Sequence, residues 1–130
     1  MTPTNSPDKK TVLIVEDDNS IREILVEKFE SEGFTVLDGA NGQEGLEKFN
    51  SAKIDLILLD LYMPVMDGYT FLDKLRVLPT GKDMPVVVLS NLVDHDYVVS
   101  AFDKHVANYL LKTNTGLDGI VEKVKKVLNP

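Results

Sequence analysis

The stretch that most restricts the fold runs from Ile54 to Leu59. Ile54, Leu56, Ile57, Leu58 and Leu59 are apolar, Asp55 is the one interruption, and Asp60 ends the run. Successive side chains of a strand point to opposite faces, so a short run that is apolar at both odd and even positions suits a central strand covered on both sides. That is the setting of a parallel sheet with helices on its two faces, and the rest of the chain supplies the other parts.

Thr11 to Val15 is a β-rich apolar run that stops at three consecutive acids, Glu16, Asp17 and Asp18. Asn19 and Ser20 are candidate N-caps for a helix in which Ile21, Ile24, Leu25 and Phe29 fall near helical spacing, with Gly33 as its C-terminal stop. Phe34 to Leu37 is a second strand, and Asn41 with Glu44 forms a capping arrangement for a helix carrying Leu46 and Phe49. Gly68 to Leu78 reads as a helix closed by Pro79 and Gly81, with Asp67 as its N-cap, and Val86 to Leu89 as a fourth strand. Asp94 to Lys104 forms a helix with a weak apolar stripe, Tyr109 to Leu111 a fifth strand, and Leu117 to Leu128 a final helix. Strands alternating with helices predict one doubly wound α/β domain, since parallel neighbours need crossovers.

Composition narrows the function. The 130 residues, 43% of them hydrophobic, are enough for one domain with one sizeable core. With no cysteine, neither disulfides nor a thiolate metal site is available. Met1 to Lys10 reads as a flexible polar tail without the apolar segment of a signal peptide, and no run is long enough to span a membrane. A cytoplasmic protein is expected. The formal net charge of −7 argues against nucleic-acid binding, which needs clustered Lys and Arg.

In sheets of this kind ligands bind beyond the carboxyl ends of the strands. Those ends carry Glu16 and Asp17, then Asp60, then Ser90, then Lys112. An acid after a strand is commonly a loop residue or a cap, so each is weak evidence by itself. Together they make what a phosphoryl site on a carboxylate requires. Clustered carboxylates repel, and a hard divalent cation with oxygen ligands holds them ionised. Mg²⁺ fits best, bound by Asp17 and Asp60, with Glu16 directly or through water. A lysine opposite the metal would stabilise phosphoryl oxygens as a point charge and a serine hydroxyl would offer another donor. Phosphoryl transfer asks little more of a protein than positioning and charge.

Val12 to Asp18 (VLIVEDD), the segment from Leu58 to Gly68 that contains LDLYMPVMDG, Pro85 to Ser90 (PVVVLS) and Tyr109 to Lys112 (YLLK) resemble the motifs of response-regulator receivers in order and spacing. The resemblance runs from about Thr11 to Leu128, leaving only 129–130 beyond it. It implies a flavodoxin-like, five-stranded parallel sheet of order 2-1-3-4-5 flanked by five helices. It further implies a single-domain, chemotaxis-regulator-like switch of two-component signalling. Asp60 would be the phosphoacceptor, Glu16 and Asp17 the acidic pocket, and the backbone carbonyl of Tyr62 a metal ligand. Ser90 would close on the phosphoryl group, Lys112 would pair with it, and Tyr109 would turn inward. Implied partners are a sensor histidine kinase or phosphotransfer protein, and a downstream protein bound through the fourth helix, fifth strand and last helix. The resemblance also implies a monomer or a weak phosphorylation-dependent dimer.

Two positions depart from the receiver pattern. Thr113 follows Lys112 where receivers usually have a proline joined by a cis bond; a cis bond to a non-proline residue costs about 2.5–4 kcal/mol, so a trans bond is expected. Asn91 follows Ser90 where a small side chain is usual. Two further positions flank the path of the hydrolytic water in receivers, and here they hold Tyr62 and Leu92. Both are bulky and neither orients water strongly, which predicts slow self-dephosphorylation. His95 and His105 have no partner spacing for metal or catalysis and read as surface residues.

The same residues bear on three other functions. A Mg²⁺-dependent phosphohydrolase would use Asp60 as a transient nucleophile, but Tyr62 stands where haloacid-dehalogenase-like enzymes usually carry a second aspartate. A degenerate receiver acting as an interaction module is opposed by the intact acid, hydroxyl and lysine set. A nucleotide-binding domain is opposed by the acids where a Gly-rich loop would follow the first strand.

Overall fold

Five parallel strands, β1 (Thr11–Val15), β2 (Thr35–Gly39), β3 (Leu56–Asp60), β4 (Val86–Ser90) and β5 (Asn108–Leu111), form one sheet in the order β2-β1-β3-β4-β5. The computed structural model describes residues 9–60, 66, 68–90, 108–111 and 116–129, with the side chains of Tyr69, Ser90 and 108–111 outside the description. Four helices are described: α1 (Asn19–Ser31), α2 (Gly42–Ser51), α3 (Gly68–Arg76) and α4 (Leu117–Leu128). α4 is the last of the helices read from the sequence. The helix expected over 94–104, both histidines, most of the N-terminal tail and the Asp67 cap lie outside the described residues. No described helix is long and apolar enough to cross a membrane.

The fully buried run in β3 does what its pattern demands. Ile57 and Leu59 face one way and join Leu13, Val15, Val86 and Val88 beneath Phe49 of α2 and Phe71, Leu72 and Leu75 of α3. Leu56 and Leu58 face the other way and join Val12, Ile14, Val87 and Leu89 beneath Leu25 and Phe29 of α1 and Ile120, Val121 and Val124 of α4. Among the described residues, the sheet thus separates two cores that have no residue in common. Full burial of each such side chain is worth about 1.5–3 kcal/mol relative to exposure.

Local chemistry sets most boundaries where the pattern places them. Gly33, at φ +96°, ends α1 in the left-handed region that favours glycine. Asn41 accepts from the Glu44 backbone N–H at 2.9 Å, and the Glu44 carboxylate accepts from Ala40 N–H at 2.9 Å, a reciprocal cap on α2. Most strands shift by one or two residues from expectation, β3 to Leu56–Asp60, β4 to Val86–Ser90 and β5 to Asn108–Leu111, and at three boundaries the cause is visible. α1 is capped by Asp18 and not by Asn19 or Ser20: the Asp18 carboxylate accepts from Ile21 N–H at 2.9 Å, so this exposed acid has a structural task beyond meeting solvent. β2 continues past Leu37 to Gly39 because Asp38 and Gly39 still pair with Ile14 and Val15, and an edge strand tolerates a charged side chain. α3 ends at Arg76, two residues before Leu78, and the Arg76 guanidinium bonds the Gly81 and Met84 carbonyls at 2.8 Å to fold the following turn.

Candidate metal and phosphoacceptor centre

Register brings the acids together. Val15 pairs with Leu59 across β1 and β3, so the next residues, Glu16 and Asp60, stand side by side at the carboxyl edge of the sheet. Asp60 is the last residue of β3 and pairs with Leu89 of β4, one residue before Ser90, which itself pairs with Leu111 at the end of β5. The backbones of β1, β3, β4 and β5 therefore deliver Glu16, Asp60, Ser90 and Leu111 to one edge. This is where a doubly wound sheet offers a crevice to a ligand.

Glu16 and Asp60 are buried, at 1% and 4% exposure, and Asp17 is half-buried. One carboxylate oxygen from each of Glu16, Asp17 and Asp60 lies within 4.8 Å of the others. Three carboxylates so close, two of them withdrawn from water, make a pocket that favours a bound cation. The turn is tied down from several sides. Glu16 N–H donates to Gly39 carbonyl at 3.1 Å, and the Glu16 carboxylate accepts from Asp18 N–H at 3.1 Å. Arg22 donates through Nη1 to the Glu16 carbonyl at 2.9 Å and through Nε to Asp38 at 3.1 Å.

The donor set fits Mg²⁺: all three are hard carboxylate oxygens, and the spacing leaves a small cation within reach of each. Such a cation would be held by Asp17, Asp60 and Glu16 and would neutralise negative charge on a bound phosphate. Tyr62, Asn91, Leu92, Lys112 and Thr113 lie outside the described residues, and Ser90 and Tyr109 are placed by their backbones alone.

The family model of the response regulator receiver domain matches residues 12–125. The chain belongs to this receiver family. It is 34% identical over 114 residues to the sensor histidine kinase CheAY of Helicobacter pylori, a match covering 86% of this chain and 14% of that protein. Over 101 residues it is 36% identical to a Cyanidium caldarium protein named probable transcriptional regulator ycf27, covering 78% of this chain and 39% of the relative. The receiver thus spans well under half of these two longer relatives. Among solved structures, chemotaxis protein CheY4 of Vibrio cholerae superposes with a TM-score of 0.85 at 26% identity, covering 92% of this chain and 98% of that one. A CheY-like receiver domain protein from Methanospirillum hungatei gives 0.85 at 27% identity, with 94% and 95% covered. The fold is accordingly flavodoxin-like with a parallel sheet.

Two residues that shape this receiver's acidic turn have no role in the sequence reading. Asp18 could have been found from its place three residues before Ile21, the spacing of an N-cap. Arg22 had a fainter signal: a lone cation one helical turn beyond an acidic triplet.

Proposed function

We propose that this receiver is a phosphoacceptor switch of two-component signalling, with Asp60 as the phosphorylated residue and Mg²⁺ as cofactor. The observation that carries this reading is the gathering of Glu16, Asp17 and Asp60 oxygens within 4.8 Å at the end of the central strands. When bound, Mg²⁺ supplies charge neutralisation for the entering phosphoryl group. The Asp60 carboxylate oxygen attacks phosphorus, the bond from phosphorus to the donor breaks, and the donor leaves with that electron pair. The histidine kinase among the relatives supports a phosphohistidine as donor. Ser90 and Lys112 contribute a hydroxyl and a cation to the phosphoryl oxygens, Tyr62 a carbonyl to the metal, and Tyr109 turns inward once Asp60 is modified. The protein catalyses only its own phosphorylation and dephosphorylation, in the cytoplasm.

In this reading the helix of 94–104 completes a set of five, and the downstream protein docks on that helix, β5 and α4. The acidic total supports a domain that does not itself hold nucleic acid.

Incubation with a small phosphodonor or phosphorylated kinase and Mg²⁺ tests the proposal. The expected product is one phosphoryl adduct by intact mass, stable to acid, labile to base and hydroxylamine, and lost in Asp60→Asn. No adduct in the wild type would favour a degenerate receiver, and turnover of many phosphoesters would favour a hydrolase.

A further inference from the structure

Arg22 commits its guanidinium to three different acceptors. Nη1 donates to the Glu16 carbonyl at 2.9 Å, Nε to Asp38 Oδ2 at 3.1 Å, and Nη2 to Asn19 Oδ1 at 2.6 Å. Its side chain is only 15% exposed. The Glu16 N–H is meanwhile held by the Gly39 carbonyl at 3.1 Å. Residue 16 is therefore gripped on both sides by the end of β2, directly through Gly39 and through Arg22 by way of Asp38. Arg22, Asp38, Gly39 and Glu16 close a ring behind the acidic turn.

We propose that Arg22 is a positioning residue of the metal centre: it holds the turn carrying Glu16 and Asp17 in its gathered form, so that binding a divalent cation does not have to gather mutually repelling carboxylates. This rests on the Mg²⁺-dependent reading above. A guanidinium beside the pocket would, as a bare charge, oppose a second cation. Its ion pair with Asp38 offsets that charge, which leaves the hydrogen bonds to decide the sign. The planar fork matters, because a lysine ammonium cannot span three acceptors that lie in different directions.

The test is Mg²⁺ titration followed by NMR on the 130-residue wild type, Arg22→Met, Arg22→Lys and Asp38→Asn, with phosphorylation rates measured against Mg²⁺ concentration. Both Arg22 variants should bind Mg²⁺ roughly 10-fold or more weakly, the usual effect of losing a partner that orients a ligand. Their rates at saturating Mg²⁺ should approach wild type, since the bound cation then gathers the pocket itself. Asp38→Asn should also weaken binding, and added salt, which weakens Mg²⁺ binding in both proteins, should narrow the variant's gap from wild type by screening its unbalanced guanidinium. Unchanged or tighter Mg²⁺ binding in Arg22→Met, even with lowered thermal stability, would overturn the proposal. So would wild-type affinity in Arg22→Lys, which would make charge and not the fork the active property. If Arg22→Met does not fold, a normal Mg²⁺ affinity in Asp38→Asn still overturns it. A wild type that neither binds Mg²⁺ nor accepts phosphoryl would overturn the underlying reading, an outcome seen without any Arg22 variant.

Discussion

Val15 and Leu59 are partners across β1 and β3, and that single pairing places Glu16 beside Asp60. A slip of one residue would turn every side chain of β3 to the wrong core, so the hydrophobic alternation that builds the sheet also sets the register of the acids. The site inherits its geometry from burial of Ile57, Leu58 and Leu59, which are at most 1% exposed.

Asp17→Asn should weaken Mg²⁺ binding by about tenfold or more, equivalent to at least about 1.4 kcal/mol, because one of three clustered charges is removed. Phosphorylation at fixed subsaturating Mg²⁺ should fall in parallel. Titration by NMR or calorimetry checks this, and an unchanged affinity would remove Asp17 from the pocket.

Dephosphorylation should be slow. In the double variant Tyr62→Asn with Leu92→Ser, phosphate release after donor removal should quicken, each tenfold gain corresponding to about 1.4 kcal/mol off the hydrolysis barrier. A wild type that decays within seconds, or a double variant no faster than wild type, would show that these side chains do not gate the water.

An ion-pair network ties α1 to α4. Lys28 Nζ lies 2.7 Å from Asp118 and 3.3 Å from Glu32, and Lys125 Nζ lies 2.9 Å from Glu32. Hydrogen bonds from the lysines hold the Glu32 and Asp118 carboxyls below their ordinary range, and bonds to Asp118 and Glu32 hold Lys28 above its own. Depressed carboxyls contribute stability above their unfolded pKa and lose it as pH falls through the folded value. The raised lysine contributes below its unfolded pKa and loses it as pH rises through the folded value. The network is thus fully present at neutral pH. In low salt, Asp118→Asn should flatten the acid limb of melting temperature against pH, by a small amount because the pair is exposed. Equal acid limbs in wild type and variant would show that the pair contributes nothing.

Leu58→Ala should lower unfolding free energy by about 2–5 kcal/mol, since it empties a site in the core beneath α1 and α4. Val77, 81% exposed, is the control, and its alanine variant should stay within about 0.5 kcal/mol of wild type. Urea midpoints at constant m-value distinguish the two.

Much of this was legible in the chain. Short apolar runs with acids at their ends give away both strands and pocket, because burial and charge leave compositional marks on single residues. What escaped depends on three-dimensional closure. Asp18 looks like one more solvated acid until the end of β1 at Val15 puts it in the capping position. Asp38 reads as a loop residue until β1 pairs with it and Arg22 meets it across sixteen residues of chain. Such contacts leave no periodicity to read.

Among the described residues, the sheet divides the interior into two sets of core side chains with no shared member. Substitutions on opposite sides should therefore combine nearly independently, as separated sites usually add within about 0.3–0.5 kcal/mol. Ile57 and Leu58, neighbours in sequence, belong to different halves of that arrangement. In a recombination library drawn from related receivers, the α2–α3 half and the α1–α4 half should behave as two exchangeable cassettes joined at the strand backbones.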